Sequence, residues 1–459
     1  MKGWYVSSRP DDAPGESTDW YASFWHFCAD YLEERFRTEW SLSPEQSIAL
    51  HIGEWTVPRQ LLVRTPKGDN KPSKLPHETA VFVARLELPA EADRQILDRM
   101  RTLSLPAALI ACSAAQFNAR PLEMRTALAM IADASQVLPR LLEGGHSKVA
   151  GRLAGAFRNI GRDGVADRIL AAMRAAGYTV TESDPFEGAV ELKFSPREIS
   201  PYTNRIRLLW QQMRGPVLEV FPAPPGLPRD KSAYLKAVED AYVSDAYHSL
   251  SIEGYRVNAE LIERVRSGSW DPANNENDRK NRDALAARGY WQAFQSVKKS
   301  VATILDRVNP GEVVATTHQL WYSELFGPSV SAGIIKASEL AGYRNGPVFI
   351  RRSMHVPPRA EAAIELLSAF FELLSEETEP AVRVVLGHWV FVYIHPYFDG
   401  NGRMGRFLMN AMLSAGGYPW TIIPVESRAE YMAALESASV DRNILPFAHF
   451  LSGLMKRET

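Results

Sequence analysis

His395-Pro396-Tyr397-Phe398-Asp399-Gly400-Asn401-Gly402-Arg403-Met404-Gly405-Arg406 is the stretch that decides how this chain is read. It gathers an imidazole, a carboxylate, glycines and two arginines, the groups that phosphate chemistry uses. Upstream, Ala381 to Ile394 is apolar over a length unusual for a strand and ordinary for a buried helix. Thr378 and Pro380 mark the start of that helix. Downstream, Met404, Phe407, Leu408 and Ala411 recur at helical spacing. Gly400-Asn401-Gly402 is therefore expected to be a turn that opens a second helix. A helix start offers unpaired N–H groups and the positive end of a dipole to an anion. Glycine lets the backbone approach phosphate oxygens closely. Arg403 and Arg406 project to one side, and guanidinium suits forked contacts with phosphate. Asp399 is placed to hold a magnesium ion that bridges phosphates. His395 is placed to take a proton from an attacking hydroxyl. Together the parts point to transfer of a nucleotidyl or phosphoryl group.

A rival reading exists. Gly400-x-Gly402-x-x-Gly405 matches the dinucleotide fingerprint, and Glu426 follows Ile422-Ile423-Pro424-Val425 at about the expected distance. A dinucleotide oxidoreductase would need a strand before the first glycine. The long apolar run and the lack of βαβ alternation speak against it.

The stretch resembles the signature of the Fic (Fic/Doc) family, His-Pro-Phe-x-Asp/Glu-Gly-Asn-Gly-Arg-x-x-Arg, with Tyr397 in place of the phenylalanine. The likeness extends over about residues 230–459. It implies an all-helical core in which His395 activates the target hydroxyl and Asp399 holds Mg2+. Gly400, Asn401 and Gly402 would form the anion hole, Gly405 would belong to the same nucleotide loop, and Arg403 and Arg406 would clamp the outer phosphates. Relatives with the full motif transfer AMP from ATP to Ser, Thr or Tyr of a protein. Doc-like relatives phosphorylate instead, and others reverse AMP transfer. The family also implies a β-hairpin flap, here 346–356, that holds the target by strand addition. An aromatic near 431 is expected to line the adenine pocket, which makes Tyr431 the candidate. Self-AMPylation is a further expectation.

A second motif stands at Ser249-Leu250-Ser251-Ile252-Glu253-Gly254. Ser249 and Glu253 lie one helical turn apart, and Gly254 is a natural stop. Alone this reads as a solvated helix end. Beside the phosphate motif it resembles the inhibitory Ser/Thr-x-x-x-Glu-Gly/Asn of Fic proteins that carry it before the core. That resemblance implies that Glu253 pairs with Arg406 and keeps ATP out of a reactive pose.

At 459 residues the chain has room for two or three domains. Its 52 basic and 54 acidic residues nearly cancel, so global charge names no partner. Cys28 and Cys112 make no disulfide framework and read as buried apolar groups. Met1-Lys2-Gly3-Trp4-Tyr5 lacks a signal-peptide core, and no apolar run approaches a membrane span, so no membrane partner and a cytoplasmic location are expected.

The fold expected is mostly α, a helical core preceded by an α+β N-terminal module. The module spans 1–215, divisible at 90 and 91. Tyr21 to Arg37 reads as a helix, Ser43 as a helix start, and Gln60–Arg64 and Ala80–Arg85 as strands. Thr65 to Lys74 reads as a loop. Leu122 to Leu142 and Val149 to Ala175 have helical composition, and Tyr178–Thr181 reads as a strand. The basic residues of 148–174 with that strand would suit a winged DNA reader, the basis for an antitoxin-like, nucleotide-sensing regulator; a solvated helix face or a protein platform are the other readings. Pro216 to Pro228, with five prolines, reads as a linker. The catalytic region is then 229–459, with the inhibitory helix at 231–254. Asn274–Asn277 reads as a loop, Asn281 to Phe294 as a helix, His318 as structural, and Leu445 to Met455 as a closing helix.

Overall fold

A computed structural model describes residues 17–186, 200–268, 282–336 and 342–457. The chain divides into two compact units: Met1–Leu209 with Phe349–Pro358, and Trp210–Val348 with Arg359–Thr459. The division falls inside the helix Pro201–Val220. Pro216 therefore lies within a helix and opens no linker. Near a C-terminal end its missing N–H costs only one helical bond. Residues 221–230 are also tied down rather than slack. Phe221 is buried, Tyr418 Oη donates to Pro222 O at 2.6 Å, and Gly226 N–H donates to Gly416 O at 3.0 Å.

In the N-terminal unit, β1 (Ser41–Leu42), β2 (Gln60–Thr65), β3 (Pro72–Lys74) and β4 (Ala80–Arg85) form one sheet in the order β1-β2-β4-β3. β2 and β4 run parallel with Leu61 opposite Val81 and Val63 opposite Val83. These four residues face inward, as strand alternation requires, and share a core with Trp20, Phe24 and Leu32 of the helix Thr18–Phe36. The expected loop Thr65 to Lys74 thus contains the short edge strand β3. Ser43 Oγ accepts from Gln46 N–H and caps the helix Pro44–His51, as the sequence suggests. A hairpin of β5 (Arg94–Leu97) and β6 (Met100–Leu103) follows.

The two long helices expected after residue 121 are broken into Pro121–Ala129, Leu138–Glu143, Ser147–Asn159 and Asp163–Ala175. Gly161 at φ +74° makes the last break. Tyr178–Thr181 forms no strand. The chain at 181–183 crosses the helix Ser147–Asn159, where a Cβ on Gly151 or Gly155 would stand 2.0 Å from Thr181 O or 2.3 Å from Ser183 O. Ser183 N–H donates to Gly151 O, so the bond a ladder would use goes to a helix. The winged reader lacks its wing.

The arginines of 148–174 are largely spent inside the unit. Arg152 donates to Cys112 O and lies over the Phe117 ring. Arg162 donates to Ala129 O, Ile131 O and Ala132 O. Arg158 meets Glu182, Asp163 and Asp167, and Arg168 pairs with Asp133.

The expected hairpin at 346–356 is not formed either; the segment is extended with one turn at Arg351-Arg352. Its backbone bonds go elsewhere. Val57 N–H donates to Met354 O at 2.9 Å, and Arg352 N–H donates to Thr18 Oγ1 at 3.0 Å. Met354 and Val356 pack on the core under the sheet. Met354 O and the Arg352 N–H are thereby taken, and the segment forms no ladder of its own.

The C-terminal unit is helical. Its described helices are Lys231–Ile252, Ala259–Arg266, Arg282–Leu305, Pro310–Ser331, Ala360–Glu376, Pro380–Ile394, Asn401–Gly416, Arg428–Glu436 and Leu445–Arg457. The Asn274–Asn277 loop and Asn281 lie outside the described residues. Pro380–Ile394 is buried almost all round, and Pro380 occupies its first turn with Glu379, not Thr378, at the cap. It packs on Asn401–Gly416, with Gly387 facing Leu408 and Met412. His318 is structural, as expected: its ring nitrogens meet Val314 O and Tyr343 Oη. Both cysteines are free and buried, and burial pushes the Cys112 thiol up to about 12. No described helix is long and apolar enough to cross a membrane.

Candidate active site

The helix Pro380–Ile394 ends at His395, which adopts φ +54°, ψ +60°. That left-handed conformation costs an L-residue about 1–2 kcal/mol, so its surroundings must enforce it. Arg344 does so. It is buried, and Nε donates to His395 O at 2.7 Å while Nη1 donates to Gly346 O at 3.0 Å. Its own N–H donates to Pro396 O at 2.9 Å. Burial lowers its pKa to about 10. Nothing in the residues around Arg344 marks it in the sequence. His395 Nδ1 lies 3.2 Å from Val392 O. A proton on Nδ1 then leaves Nε2 as the basic nitrogen.

The turn that follows is held by side chains. Tyr397 is buried and stacks on Tyr322, centroids 3.7 Å apart. Asn401 staples the same residue: Oδ1 accepts from Tyr397 N–H at 3.0 Å, and Nδ2 donates to Tyr397 O at 2.8 Å. Gly400 sits at φ +85° with a notional Cβ 2.7 Å from Phe326, so the position requires glycine twice over. The motif helix Asn401–Gly416 starts there, and it follows a helix rather than a strand, which removes the dinucleotide fold. Gly405 serves packing: a Cβ would lie 2.9 Å from Val392.

Asp399 exposes most of its side chain. Its Oδ1 accepts from Gly400 N–H at 2.6 Å and its Oδ2 from Arg403 Nη2 at 3.2 Å. Arg403 is buried against the Phe326 and Tyr255 rings. Burial opposes its charge, but Asp399, Tyr255 and Glu253 outweigh that and raise its pKa. Among the described residues no three His, Cys, Asp or Glu side chains cluster as a metal cage. A lone exposed carboxylate suits Mg2+, which keeps several waters and takes its other ligands from phosphates.

Arg406 is 3% exposed, and its partners Ser249 and Glu253 stand 157 and 153 residues upstream, at the end of one helix. Nε donates to Ser249 Oγ at 2.8 Å; Nη2 donates to Ser249 O at 3.1 Å and to Glu253 Oε1 at 2.7 Å. Burial again works against the charge, and Glu253 outweighs it, so the pKa is raised. Nη1 is buried and has no hydrogen-bond partner among the described residues. A Cβ on Gly402 would lie 2.5 Å from Glu253 Oε1, so the glutamate covers the first turn of the motif helix. The helix Lys231–Ile252 holds this position because Asp230 caps it, Gly254 at φ +86° ends it, and Arg428 Nε donates to Ile252 O at 2.9 Å. One turn before Ser249, buried Asp245 accepts from Tyr290 Oη at 2.7 Å, and burial raises its pKa to about 6. Asp245 and Tyr290 had no sequence signal beyond an inward-facing register.

Tyr431 is 1% exposed. Its ring packs near Phe447 and Phe450, and its hydroxyl lies 2.8 Å from His388 Nε2. The structure thus places it in the core, its hydroxyl against His388.

Residues 312–413 match the model of the Fic/DOC family. A protein adenylyltransferase Fic of Nematostella vectensis is 28% identical over 48% of this chain and 49% of its own length. The protein adenylyltransferase fic-1 of Caenorhabditis elegans is 34% identical over 25% of this chain and 23% of its own. The chain thus spans about half or less of these relatives. A solved structure of Fic-1 residues 134–508 from C. elegans aligns with 71% of this chain and 89% of its own, at 18% identity and a TM-score of 0.39.

Proposed function

From the premise that this chain carries a Fic/DOC domain, we propose that it transfers AMP from ATP to a hydroxyl side chain of a protein. The observation that carries this is the turn itself. His395 stands at one end of a helix, and a glycine-lined helix start with two buried arginines stands next to it. The target oxygen attacks the α-phosphorus, the bond to the β-phosphate oxygen breaks, and pyrophosphate leaves. His395 Nε2 takes the hydroxyl proton. N–H groups of the first turn after Gly400 bind the phosphates, with Arg403 and Arg406 beyond them. Asp399 would hold Mg2+, whose positive charge would offset the negative charge developing on the phosphates. The names of the relatives, adenylyltransferases, favour AMP transfer over the Doc-like kinase reading.

The resting site is autoinhibited in this proposal. Glu253 occupies Arg406 and the ground above Gly402, which a phosphate would need. The acceptor protein is assigned to 346–356; it would add to a single extended strand, not to a hairpin edge. The released enzyme is expected to AMPylate itself. The arginines of 148–174 lend a DNA partner no support, since carbonyls and carboxylates of the same unit already hold most of them.

Incubation of the Glu253→Gly protein with ATP labelled on the α-phosphate tests the reaction. His395→Ala in that background should lower AMP incorporation by a factor of about 10²–10⁴, the usual worth of a general base. Equal incorporation with and without the imidazole would overturn the assignment.

A further inference from the structure

We propose that His388 is a positioning residue for the nucleotide clamp: its imidazole ties the Tyr431 hydroxyl to the Gly405–Arg406 peptide and so fixes where the Arg406 side chain leaves its helix. The proposal rests on the reading of Arg406 as a phosphate ligand.

His388 is fully buried. Nδ1 lies 2.9 Å from Gly405 O and Nε2 lies 2.8 Å from Tyr431 Oη. A carbonyl only accepts, so Nδ1 carries the proton and donates to Gly405 O. Nε2 then accepts from the Tyr431 hydroxyl, whose lone pairs turn away from the ring. The positive charge of Arg406 also acts on the tyrosine. Burial, reinforced by Arg406, holds His388 neutral down to about pH 3, so this tautomer is not lost across the physiological range.

The one ring therefore joins three elements. It sits two turns before His395 on the helix Pro380–Ile394, bonds the motif helix at Gly405, and bonds Arg428–Glu436 through Tyr431. A buried apolar residue would fill the same space without orienting either partner. His318 also uses both nitrogens; what separates His388 from that structural histidine is that one of its partners is the peptide from which Arg406 leaves the motif helix.

The test uses the full chain with Glu253→Gly and separates the two bonds. Asparagine reaches the Nδ1 position and keeps the bond to Gly405 O, but drops Tyr431. His388→Asn should raise KM for ATP about 5–10-fold, the scale of one hydrogen bond near a charge, with kcat within about twofold. Tyr431→Phe should match it, and the double variant should be no worse than either single one. Multiplying losses, or an unmoved KM in a protein of normal melting temperature, would overturn the proposal. Should the parent transfer no AMP, the functional reading fails on its own, and nitrogen-15 NMR of His388 still decides this one. Protonated Nδ1, with an Arg406 Nε resonance that moves in both His388→Asn and Tyr431→Phe, supports it; an Nε2–H tautomer or a stationary Arg406 signal ends it.

Discussion

Two charged stretches stand out in this chain, and they have opposite fates. Between 148 and 174 the arginines serve their own unit: Arg162 satisfies three carbonyls, and Arg158 answers three carboxylates. Between 249 and 254 a single glutamate reaches Arg406, far along the chain, and accepts a hydrogen bond from its guanidinium. The first stretch has more charge and the second has more consequence. A guanidinium matters to a ligand when its donors still point where the ligand goes, and charge density in sequence does not report that. The acids of the two stretches differ in the same way. Asp163 and Asp167 are well exposed, whereas Asp245, one turn before Ser249, is buried.

The largest effect that would sharpen this contrast belongs to Asp245. Its folded pKa, about 6, lies above the ordinary carboxylate value. The protonated form is the one the fold prefers, so its stabilisation is complete below about pH 4 and is lost as pH rises through about 6. Urea unfolding of the wild type and Asp245→Asn should therefore diverge between pH 4 and 7 by up to about 3 kcal/mol, in favour of asparagine at the higher pH. Parallel profiles would show that the buried carboxylate is not under strain. Next comes Arg162→Ala, which strips three carbonyls of their donor. It should lower the unfolding free energy by about 2 kcal/mol and leave AMP transfer within twofold of its parent. A change in transfer with unaltered stability would break the division between the two stretches. Glu253→Gly should raise AMP transfer about tenfold or more, read as labelled target or self-modification. No gain would leave Glu253 an ordinary helix end. The smallest change is expected at Asp167→Asn, an exposed partner of Arg158, worth less than about 0.5 kcal/mol in the same unfolding assay.

The site was far more legible than its supports. His395, Asp399, Gly400 and Arg403 are neighbours in sequence because one turn needs them all, and Tyr397 beside them is buried and stacked on Tyr322. Asn401 turned out to serve that turn through its side chain, which bonds the backbone of Tyr397, an arrangement composition cannot express. Arg344 and His388 were missed because each acts through carbonyl oxygens, and every residue has one. Tyr431 was noticed for its aromatic ring, yet its hydroxyl and burial define its place. The strands expected at 178–181 and in the 346–356 hairpin failed for one reason: extended residues found helices and side chains to bond instead of a neighbouring strand.

Local order, then, belonged to the sequence: the apolar run that had to be a buried helix, the glycine that a left-handed turn requires, the cap at Ser43, and the one-turn spacing of Ser249 and Glu253. These depend on residues within a turn or two of one another, where backbone sterics and helical period leave few choices. Tertiary structure alone decided which guanidinium was spent and which was held in reserve, which strand found a partner, and which partners a buried imidazole met. The buried imidazoles of His318 and His388 both use two nitrogens and differ in the partners they meet; such outcomes depend on which donors and acceptors come together after the chain has folded, and pairing of that kind has no period for a sequence to display.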